Sequence, residues 1–559
     1  MTSVYAETLA RNDVLEKRFP FEKEEPPEKI TWTPTNNSTQ VGYQLLVAFT
    51  GTEAPPHLYQ WLATRPLGGI TLFRYRNVEN PCQVRQLTAA LQRAARVAGQ
   101  PPLLICTDQE GGQINALGTA MTPFPGNMAL GAVGDADLAF RVGLALGREC
   151  AALGVNVNYA PSCDVNSNPQ NPVIGARSFG ENPALVGELA AAMAQGIQAA
   201  GVVSAAKHFP GHGDTISDSH HGIPVVAHDE KRLWEVELRP FRTAIESGAK
   251  MVMTAHVGLP ALHDGRVLPA TLSPTVLQGL LRQKLAFQGV IVSDAMDMAA
   301  ITQGAGLADD ARRAVQAGVD MLLMTDDPTT QETAYHALLD GLETGAISQT
   351  AANASVQRIL ALKQWIAAQT QPDLAVIGCE EHRRLAQEVA NRSVTLVRDV
   401  AGLLPLRVPV DGRIAVILPT FQNLTPADTS ASEKLTLGRA LRQYHPYVDE
   451  YVIPQQPDES HISAFRERAA QYDLVIVGTI EASRQPAQAE LVNVLLDAGA
   501  PLITVALRTP YDLAAYPRAR THICTYSIQE PAMRALAAAL WGEISFQGKL
   551  PVEGNWIIG

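Results

Sequence analysis

The sequence predicts an α/β protein in which a (β/α)8 TIM-like barrel is followed by a smaller α/β open-sheet sandwich domain. Three observations predict this architecture. Short apolar segments alternate with longer segments of helical periodicity, eight such pairs follow one another from about residue 41, and a second α/β pattern begins after a polar segment. At 559 residues the chain is also too long for a single hydrophobic core.

The barrel is predicted element by element from this alternation. Apolar runs typical of buried strands occur at 44–49, 69–73, 102–107, 155–159, 202–207, 251–255, 290–293 and 319–324. Amphipathic helices are expected between them, for example at 135–153, 183–200, 229–247, 274–285 and 308–317. Several of these helices begin with proline or a capping residue. A doubly wound open sheet has the same alternation, so the strand count leaves barrel closure open.

The domain boundaries follow from changes in composition. Residues 1–40 are rich in charge and proline and are expected to form an N-terminal extension, ahead of a barrel domain at 41–368. The polar segment 369–373 begins what is interpreted as a linker at 369–384, and residues 385–559 are interpreted as the C-terminal domain, with strands at 414–418, 474–477 and 502–506. Because this domain lacks a G-x-G-x-x-G turn, nucleotide binding is not expected.

Composition excludes several classes of partner. The net charge of -12 argues against nucleic acid and anionic membranes, which both favour basic surfaces. No apolar run approaches the ~20 residues that a membrane-spanning helix needs. The N-terminal sequence has no basic segment followed by an apolar core, so a signal peptide is not expected. The six cysteines form no C-x-x-C pair. The cytoplasm is therefore the expected compartment.

Polar residues follow several predicted strands at the point where each strand ends. The sequence DQEGG (108–112) follows the third strand, Lys207 and His208 end the fifth, His256 follows the sixth, and Asp294 follows the seventh. Each residue alone would more often be structural, for instance as a helix cap. Together they indicate an active site at the carboxyl end of the barrel, where barrel enzymes place their chemistry.

Three chemistries are compatible with these residue types. Glycoside cleavage needs a nucleophilic carboxylate and a separate proton donor. A metal site would use His208, His212, His220 and His221, although a Gly/Pro loop without a cysteine cluster is unusual for zinc. A Schiff-base aldolase would use Lys207.

The sequence KHFPGHGDT (207–215), followed by DSH (218–220), resembles the signature loop of family 3 glycoside hydrolases in the β-N-acetylhexosaminidase branch. Three further motifs of that family occur in order, namely DQEGG (108–112), RSFG (177–180) and SDAM (293–296). The resemblance is strong over about residues 40 to 370 and extends more weakly through the second domain, which includes GKLPV (548–552).

The resemblance implies a role for each site residue. Asp294 would be the nucleophile, with Asp297 as a structural neighbour, and His220 would be the acid/base, assisted by Asp218. Side chains two residues apart on an extended backbone point to the same side, so Asp218 can orient His220. His221 could compete on composition alone, but the D-S-H spacing favours His220. An unperturbed histidine titrates at about pH 6.5, which suits both donating and accepting a proton.

The remaining motif residues would hold the substrate. Asp108, Arg177, Lys207 and His208 match positions that bind sugar hydroxyls in the −1 subsite, and no metal or organic cofactor is implied. His212 and Asp214 are expected to fix the loop through internal hydrogen bonds rather than to contact the substrate.

The implied activity is that of a retaining exo-β-N-acetylglucosaminidase, whose substrate is a small carbohydrate with a terminal β-linked N-acetylglucosamine. The alternatives are a β-N-acetylglucosaminide phosphorylase, a β-glucosidase and a non-catalytic sugar-binding protein. One difference from the family's sequence pattern bears on the substrate. In family members that recycle cell-wall fragments, DQEGG is followed by Arg-Val-x-Arg, whereas in this chain it is followed by QINA (113–116). The recycling of muropeptides is therefore disfavoured.

Overall fold

The computed structural model describes residues 36–217, 222–301, 306–423, 425 and 428–553. Its strands, in chain order, are β1 (Leu45–Val47), β2 (Gly69–Thr71), β3 (Leu104–Thr107), β4 (Gln109–Gly111), β5 (Ile114–Asn115), β6 (Val157–Asn158), β7 (Val203–Phe209), β8 (Met251–Thr254), β9 (Val290–Ala295), β10 (Met321–Leu323), β11 (Thr395–Asp399), β12 (Ile414–Pro419), β13 (Val448–Ile453), β14 (Leu474–Thr479), β15 (Leu502–Ala506) and β16 (Thr521–Cys524).

The described α-helices, in chain order, are α1 (Asn37–Tyr43), α2 (Pro56–Thr64), α3 (Arg74–Asn77), α4 (Pro81–Val97), α5 (Asn127–Val133), α6 (Ala136–Ala152), α7 (Pro183–Ala199), α8 (Glu230–Glu235), α9 (Arg239–Glu246), α10 (Leu307–Ala317), α11 (Pro328–Glu343), α12 (Gln349–Ala367), α13 (Glu380–Ser393), α14 (Leu437–Leu441), α15 (Glu459–Arg468), α16 (Pro486–Asp497) and α17 (Glu530–Trp541). None of the described helices is both long and apolar enough to cross a membrane.

The predicted barrel is confirmed. Eight strands close in the order β1-β10-β9-β8-β7-β6-β3-β2, and every neighbouring pair is parallel. The open doubly wound sheet is therefore wrong for this part of the chain. The strand side chains are almost all buried, because the interior of such a barrel and its outer helices cover both faces of each strand.

Two predicted helices differ from the expected form. The helix expected at 229–247 is broken into α8 and α9, because Pro240 cannot continue the preceding hydrogen-bond ladder. The break inserts the buried Glu237 beside Gly211 of the loop that follows β7. The helix expected at 274–285 is π-helical over Thr275–Lys284.

The second sheet is an open α/β sheet, as predicted. Its strand order is β11-β16-β15-β14-β12-β13, and it is parallel except for β11, which pairs antiparallel with β16. Separate apolar clusters cover its two faces. The chain reverses its direction of strand addition between β12 and β14, and the carboxyl ends of strands at such a reversal commonly line a crevice.

Candidate active site

A group of four charged residues, three of them buried, lies at the carboxyl end of the barrel. Lys207, near the end of β7, places its Nζ 2.5 Å from Asp108 Oδ1 and 2.5 Å from Glu110 Oε1. Arg177 donates to the same Glu110 through Nη2 at 2.7 Å and Nε at 3.1 Å. The four side chains come from three separate stretches of the chain, and we name them the charged cluster.

Burial and charge pairing act against each other in the charged cluster. Burial raises the pKa of the Glu110 carboxyl, but Arg177 and Lys207 outweigh it and hold that pKa at about 2. Burial lowers the pKa of Lys207, but Asp108 and Glu110 outweigh it, so that the pKa lies above its ordinary value. A lysine held in its ammonium form is not a nucleophile, which disfavours the Schiff-base chemistry considered for Lys207.

His208 lies between the charged cluster and a buried aspartate. Its Nδ1 is 2.7 Å from Asp164 Oδ2, and its Nε2 is 3.2 Å from Arg177 Nη2. A guanidinium can only donate, so Nε2 accepts and Nδ1 carries the proton that is donated to Asp164. Both ring nitrogens are therefore engaged, and the imidazole cannot rotate without losing two hydrogen bonds.

Asp164 also orders the loop that follows β7. Its Oδ1 accepts from the backbone N–H of His212 at 2.7 Å, and Ser162 Oγ donates to its Oδ2 at 2.9 Å. Burial raises the pKa of Asp164, but His208 and His212 outweigh this and hold it well below its ordinary value. Asp164 is thus a buried, multiply hydrogen-bonded anion that fixes the orientation of His208.

His212 is neutral in this setting because burial lowers its pKa to about 4. Its Nδ1 is 2.7 Å from Thr215 Oγ1. Asp214 accepts from Ser167 Oγ at 3.0 Å and lies 2.6 Å from His228 Nε2. His212 bonds within the loop, whereas Asp214 bonds to residues outside it, and the expectation that neither side chain contacts the substrate stays a prediction.

The described part of the chain holds no group of three His, Cys, Asp or Glu side chains arranged to bind a metal ion. His208 and His212, two of the histidines considered for zinc, are engaged by Asp164, Arg177 and Thr215 instead.

Asp294 lies near the end of β9 and is partly exposed. The backbone N–H of Ala295 donates to its Oδ1 at 2.8 Å. His256, which follows β8, donates through Nε2 to the Ala295 carbonyl oxygen at 2.9 Å and so holds the backbone beside Asp294. The carboxylate of Asp294 also offsets, in small part, the burial that lowers the pKa of His212.

Asp297 occupies a different environment from Asp294. Its Oδ2 accepts a hydrogen bond from Thr325 Oγ1, and burial raises its pKa. These contacts fit the structural role expected of Asp297.

Asp218 and His220, the predicted acid/base pair, lie outside the described residues, as does His221. The chain on both sides of them is described. Asn171 Nδ2 donates to the carbonyl oxygens of His212 at 2.8 Å and Thr215 at 3.0 Å, and the backbone N–H of Val226 donates to the Gly258 carbonyl oxygen at 3.0 Å.

The second domain contacts the loop that follows β3. Thr429 Oγ1 accepts from the backbone N–H of Asn115 at 2.9 Å and donates to the Gln113 carbonyl oxygen at 3.0 Å. Gln529 Nε2 donates to the Gly112 carbonyl oxygen at 2.9 Å. The segment that lacks the two arginines therefore packs against the second domain.

The sequence alone assigns no role to Glu110 or Asp164. Glu110 lies inside the DQEGG motif, but only the fold brings it to Arg177, which is 67 residues away in the chain. Asp164 follows β6, so the rule that polar groups at strand ends form the site would have included it. However, β6 is only two residues long, and five further residues separate it from Asp164. Asp164 therefore does not stand directly after an apolar run in the sequence.

The chain is similar to known proteins over most of its length. Residues 41–362 match the sequence model of the family described as "Glycosyl hydrolase family 3 N terminal domain". Beta-hexosaminidase A of Pseudoalteromonas piscicida is 36% identical over 557 residues, which is 90% of this chain and 92% of that protein. A Cellulomonas fimi protein named beta-N-acetylglucosaminidase/beta-glucosidase is 29% identical, over 92% of this chain and 93% of that protein.

A solved structure is similar to this chain over the same extent. The glycoside hydrolase family 3 β-N-acetylglucosaminidase of Paenibacillus sp. str. FPU-7 superposes with a TM-score of 0.87 and 40% sequence identity, covering 92% of this chain and 98% of that chain. The similarity thus spans both domains.

Proposed function

The chain belongs to glycoside hydrolase family 3, and from that premise we propose that it is a retaining exo-β-N-acetylglucosaminidase. The observation that carries the proposal is the position of Asp294. Asp294 near the end of β9 and the charged cluster, whose Lys207 lies near the end of β7 two strands away, share the carboxyl end of the closed barrel. A sugar ring bound between them would present one edge to a carboxylate and the other to fixed hydrogen-bonding groups.

The proposed reaction begins with attack by Asp294 on the anomeric carbon of a terminal β-linked N-acetylglucosamine. His220, assisted by Asp218, donates its proton to the leaving oxygen, so that the glycosidic bond breaks as the bond to Asp294 forms. His220 then removes a proton from water, and the resulting attack on the glycosyl-aspartate releases the sugar with its configuration retained.

The buried hydrogen-bonding groups would orient the ring. Lys207 and Arg177 are held as cations in contact with Glu110, and His208 is fixed by Asp164. Their geometry is set before the substrate arrives, so little of the binding energy is needed to order them. The relatives named as hexosaminidases support N-acetylglucosamine as the bound sugar.

The second candidate is phosphorolysis, because a neutral His220 would not repel phosphate as a carboxylate would. The described groups around the site favour water instead. Four carboxyl groups, those of Asp108, Glu110, Asp164 and Asp294, stand against two cations, those of Lys207 and Arg177. This excess of negative charge disfavours an incoming phosphate dianion.

A panel of aryl glycosides, assayed with and without inorganic phosphate, tests this assignment. We expect turnover of the aryl N-acetyl-β-glucosaminide at least about 100-fold faster than that of the aryl β-glucoside, because binding groups left without partners are costly in a transition state. Free N-acetylglucosamine should be the product in both buffers. Formation of N-acetylglucosamine 1-phosphate would establish a phosphorylase, and faster turnover of the glucoside would establish a β-glucosidase.

A further inference from the structure

The antiparallel hairpin of β4 and β5 is held at its turn by the second domain. The backbone N–H and the Oγ1 of Thr429 both donate to the Gln113 carbonyl oxygen, at 2.9 and 3.0 Å. The same Oγ1 accepts from the backbone N–H of Asn115 at 2.9 Å. Gln529 Nε2 donates to the Gly112 carbonyl oxygen at 2.9 Å. We name Thr429 and Gln529 the hairpin clamp, because together they bind three residues of the hairpin.

Thr429 is itself fixed by a buried ion pair of the second domain. Arg508, just after β15, places its Nη1 3.1 Å from Asp428 Oδ2, and the two side chains are 4% and 0% exposed. Arg508 Nη2 also donates to Ser430 Oγ at 2.6 Å, and the backbone N–H of Ser430 donates to Asp428 Oδ1 at 2.8 Å. Both chain neighbours of Thr429 are therefore anchored at the end of the second sheet, and Thr429 holds the hairpin against a fixed support.

The hairpin connects this support to the charged cluster. Gln109 of β4 is paired with Asn115 of β5, and Gln109 Nε2 donates to Asn115 Oδ1 at 3.1 Å. Asp108 and Glu110 flank Gln109 in the chain, and a carboxyl oxygen of each lies 2.5 Å from Lys207 Nζ. A displacement of the hairpin would therefore move both carboxyl groups relative to Lys207.

The contact between Thr429 and the hairpin is buried, so water cannot readily replace it. Thr429 is 4% exposed and Asn115 is 6% exposed. Removal of the Thr429 hydroxyl would deprive the Asn115 N–H of this acceptor, and a buried amide left unpaired costs more than the net gain from an ordinary hydrogen bond. The hairpin is then expected to shift until the amide finds another acceptor.

We propose that Thr429 is a positioning residue, through which the second domain fixes the hairpin and with it the distances of Asp108 and Glu110 from Lys207. The second domain then acts on the reaction at one remove from the substrate. This inference rests on the proposed function, in which the charged cluster orients the sugar. Accurate placement matters there, because a shift of about 1 Å in an orienting group can lower a rate about 100-fold.

The test compares Thr429→Val with wild type on the aryl N-acetyl-β-glucosaminide. Valine keeps the shape of threonine without the hydroxyl, so kcat/KM should fall by about 10- to 100-fold and the dissociation constant of N-acetylglucosamine should rise by about 3- to 10-fold. Thr429→Ser, which keeps the hydroxyl, should stay within about 3-fold of wild type in both quantities. Steady-state kinetics and calorimetric titration measure them, and circular dichroism gives the folded fraction of each variant.

Thr504→Val is the matched control. Thr504 is a fully buried threonine of the second domain, whose Oγ1 donates to the Thr521 carbonyl oxygen at 3.0 Å and lies 2.8 Å from His522 Nδ1. Its hydroxyl bonds lie within the second sheet, so this variant should be destabilised while its kcat/KM stays within about 3-fold of wild type.

A purely structural role for Thr429 would lower the stability of Thr429→Val but leave its kcat/KM and its affinity for N-acetylglucosamine within about 3-fold of wild type, and this result would overturn the proposal. A loss in Thr429→Ser as large as that in Thr429→Val would overturn it too, because serine can make the same bonds.

If Thr429→Val does not fold, Gln529→Met removes the other bond of the hairpin clamp and should lower kcat/KM by about 3- to 10-fold, whereas an unchanged value would contradict the proposal. Failure of wild type to cleave the glycoside would contradict the proposed function and with it this inference. Cleavage that Thr429→Val leaves intact would contradict only the role of Thr429.

Discussion

Replacing Asp294 by asparagine is expected to lower kcat for the aryl N-acetyl-β-glucosaminide by roughly 10⁴-fold, the scale seen when a covalent nucleophile is removed. The amide keeps the shape of the side chain and can still be held near the Ala295 N–H, which donates to Asp294 Oδ1 at 2.8 Å. Binding of the product N-acetylglucosamine should therefore change by less than about 10-fold. Steady-state kinetics and calorimetric titration of the product measure the two effects separately.

Asp297→Asn is the matched control for this prediction, because Asp297 lies three residues away and contacts Thr325 instead. We expect it to lower kcat by no more than about 10-fold, as a change in a supporting residue rather than in the reacting group. Equal decreases in kcat in the two variants would contradict the assignment of Asp294 as the nucleophile. Unchanged turnover in Asp294→Asn would favour a non-catalytic or differently catalysed site.

Replacing Glu110 by glutamine is expected to destabilise the protein by about 3–5 kcal/mol at neutral pH, because it leaves two buried cations without their shared carboxylate. The Arg177 and Glu110 side chains have exposures of only 4% and 2%, and Lys207 has 1%. The same variant should also lose substrate binding, since Lys207 and His208 would shift with Arg177. Urea unfolding followed by circular dichroism measures the first effect.

A second arginine–glutamate pair gives the control. Arg141 and Glu388 make two hydrogen bonds at 2.7 and 3.1 Å, but their side chains are 42% and 35% exposed. Glu388→Gln should therefore cost only about 0–1 kcal/mol. A cost for Glu110→Gln as small as that for Glu388→Gln would mean that burial does not govern the charged cluster.

The difference between wild type and Glu110→Gln should depend on pH with a definite sign. The pKa of Glu110 is lowered in the folded state to about 2, from 4.5. A carboxyl with a lowered pKa stabilises the folded state above its unfolded pKa and loses that contribution as the pH falls. The stability difference should be constant near neutrality and shrink between pH 4.5 and about 2.

The sequence predicts the barrel well because its strands are buried on both faces. All eight predicted apolar runs overlap an observed strand, since a parallel barrel strand needs near-continuous apolar residues. Three strands of the second sheet, β11, β13 and β16, were not predicted from the apolar runs. In β13 the charged residues Asp449 and Glu450 interrupt the run, and they are tolerated because β13 is an edge strand with one free side. In β11, Arg398 and Asp399 have the same effect at the opposite edge.

The candidate site was predictable only as far as strand ends reveal it. Asp108, Lys207, His208 and Asp294 each follow or end an apolar run, and the fold brings them to one end of the barrel. Asp164 acts through a contact with His208, 44 positions away, and no local pattern encodes such a distance. Long-range pairing is set by barrel closure and domain packing, which a single sequence does not display.

The most direct test of the mechanism is to trap the covalent intermediate. A fluorinated N-acetylglucosaminyl donor that slows the second step should leave one glycosyl group attached to the protein. Peptide mass spectrometry should find that group on the peptide that contains Asp294, and the Asp294→Asn variant should remain unlabelled. A label on another residue, or turnover with no labelled protein at any time, would contradict a glycosyl-aspartate at position 294.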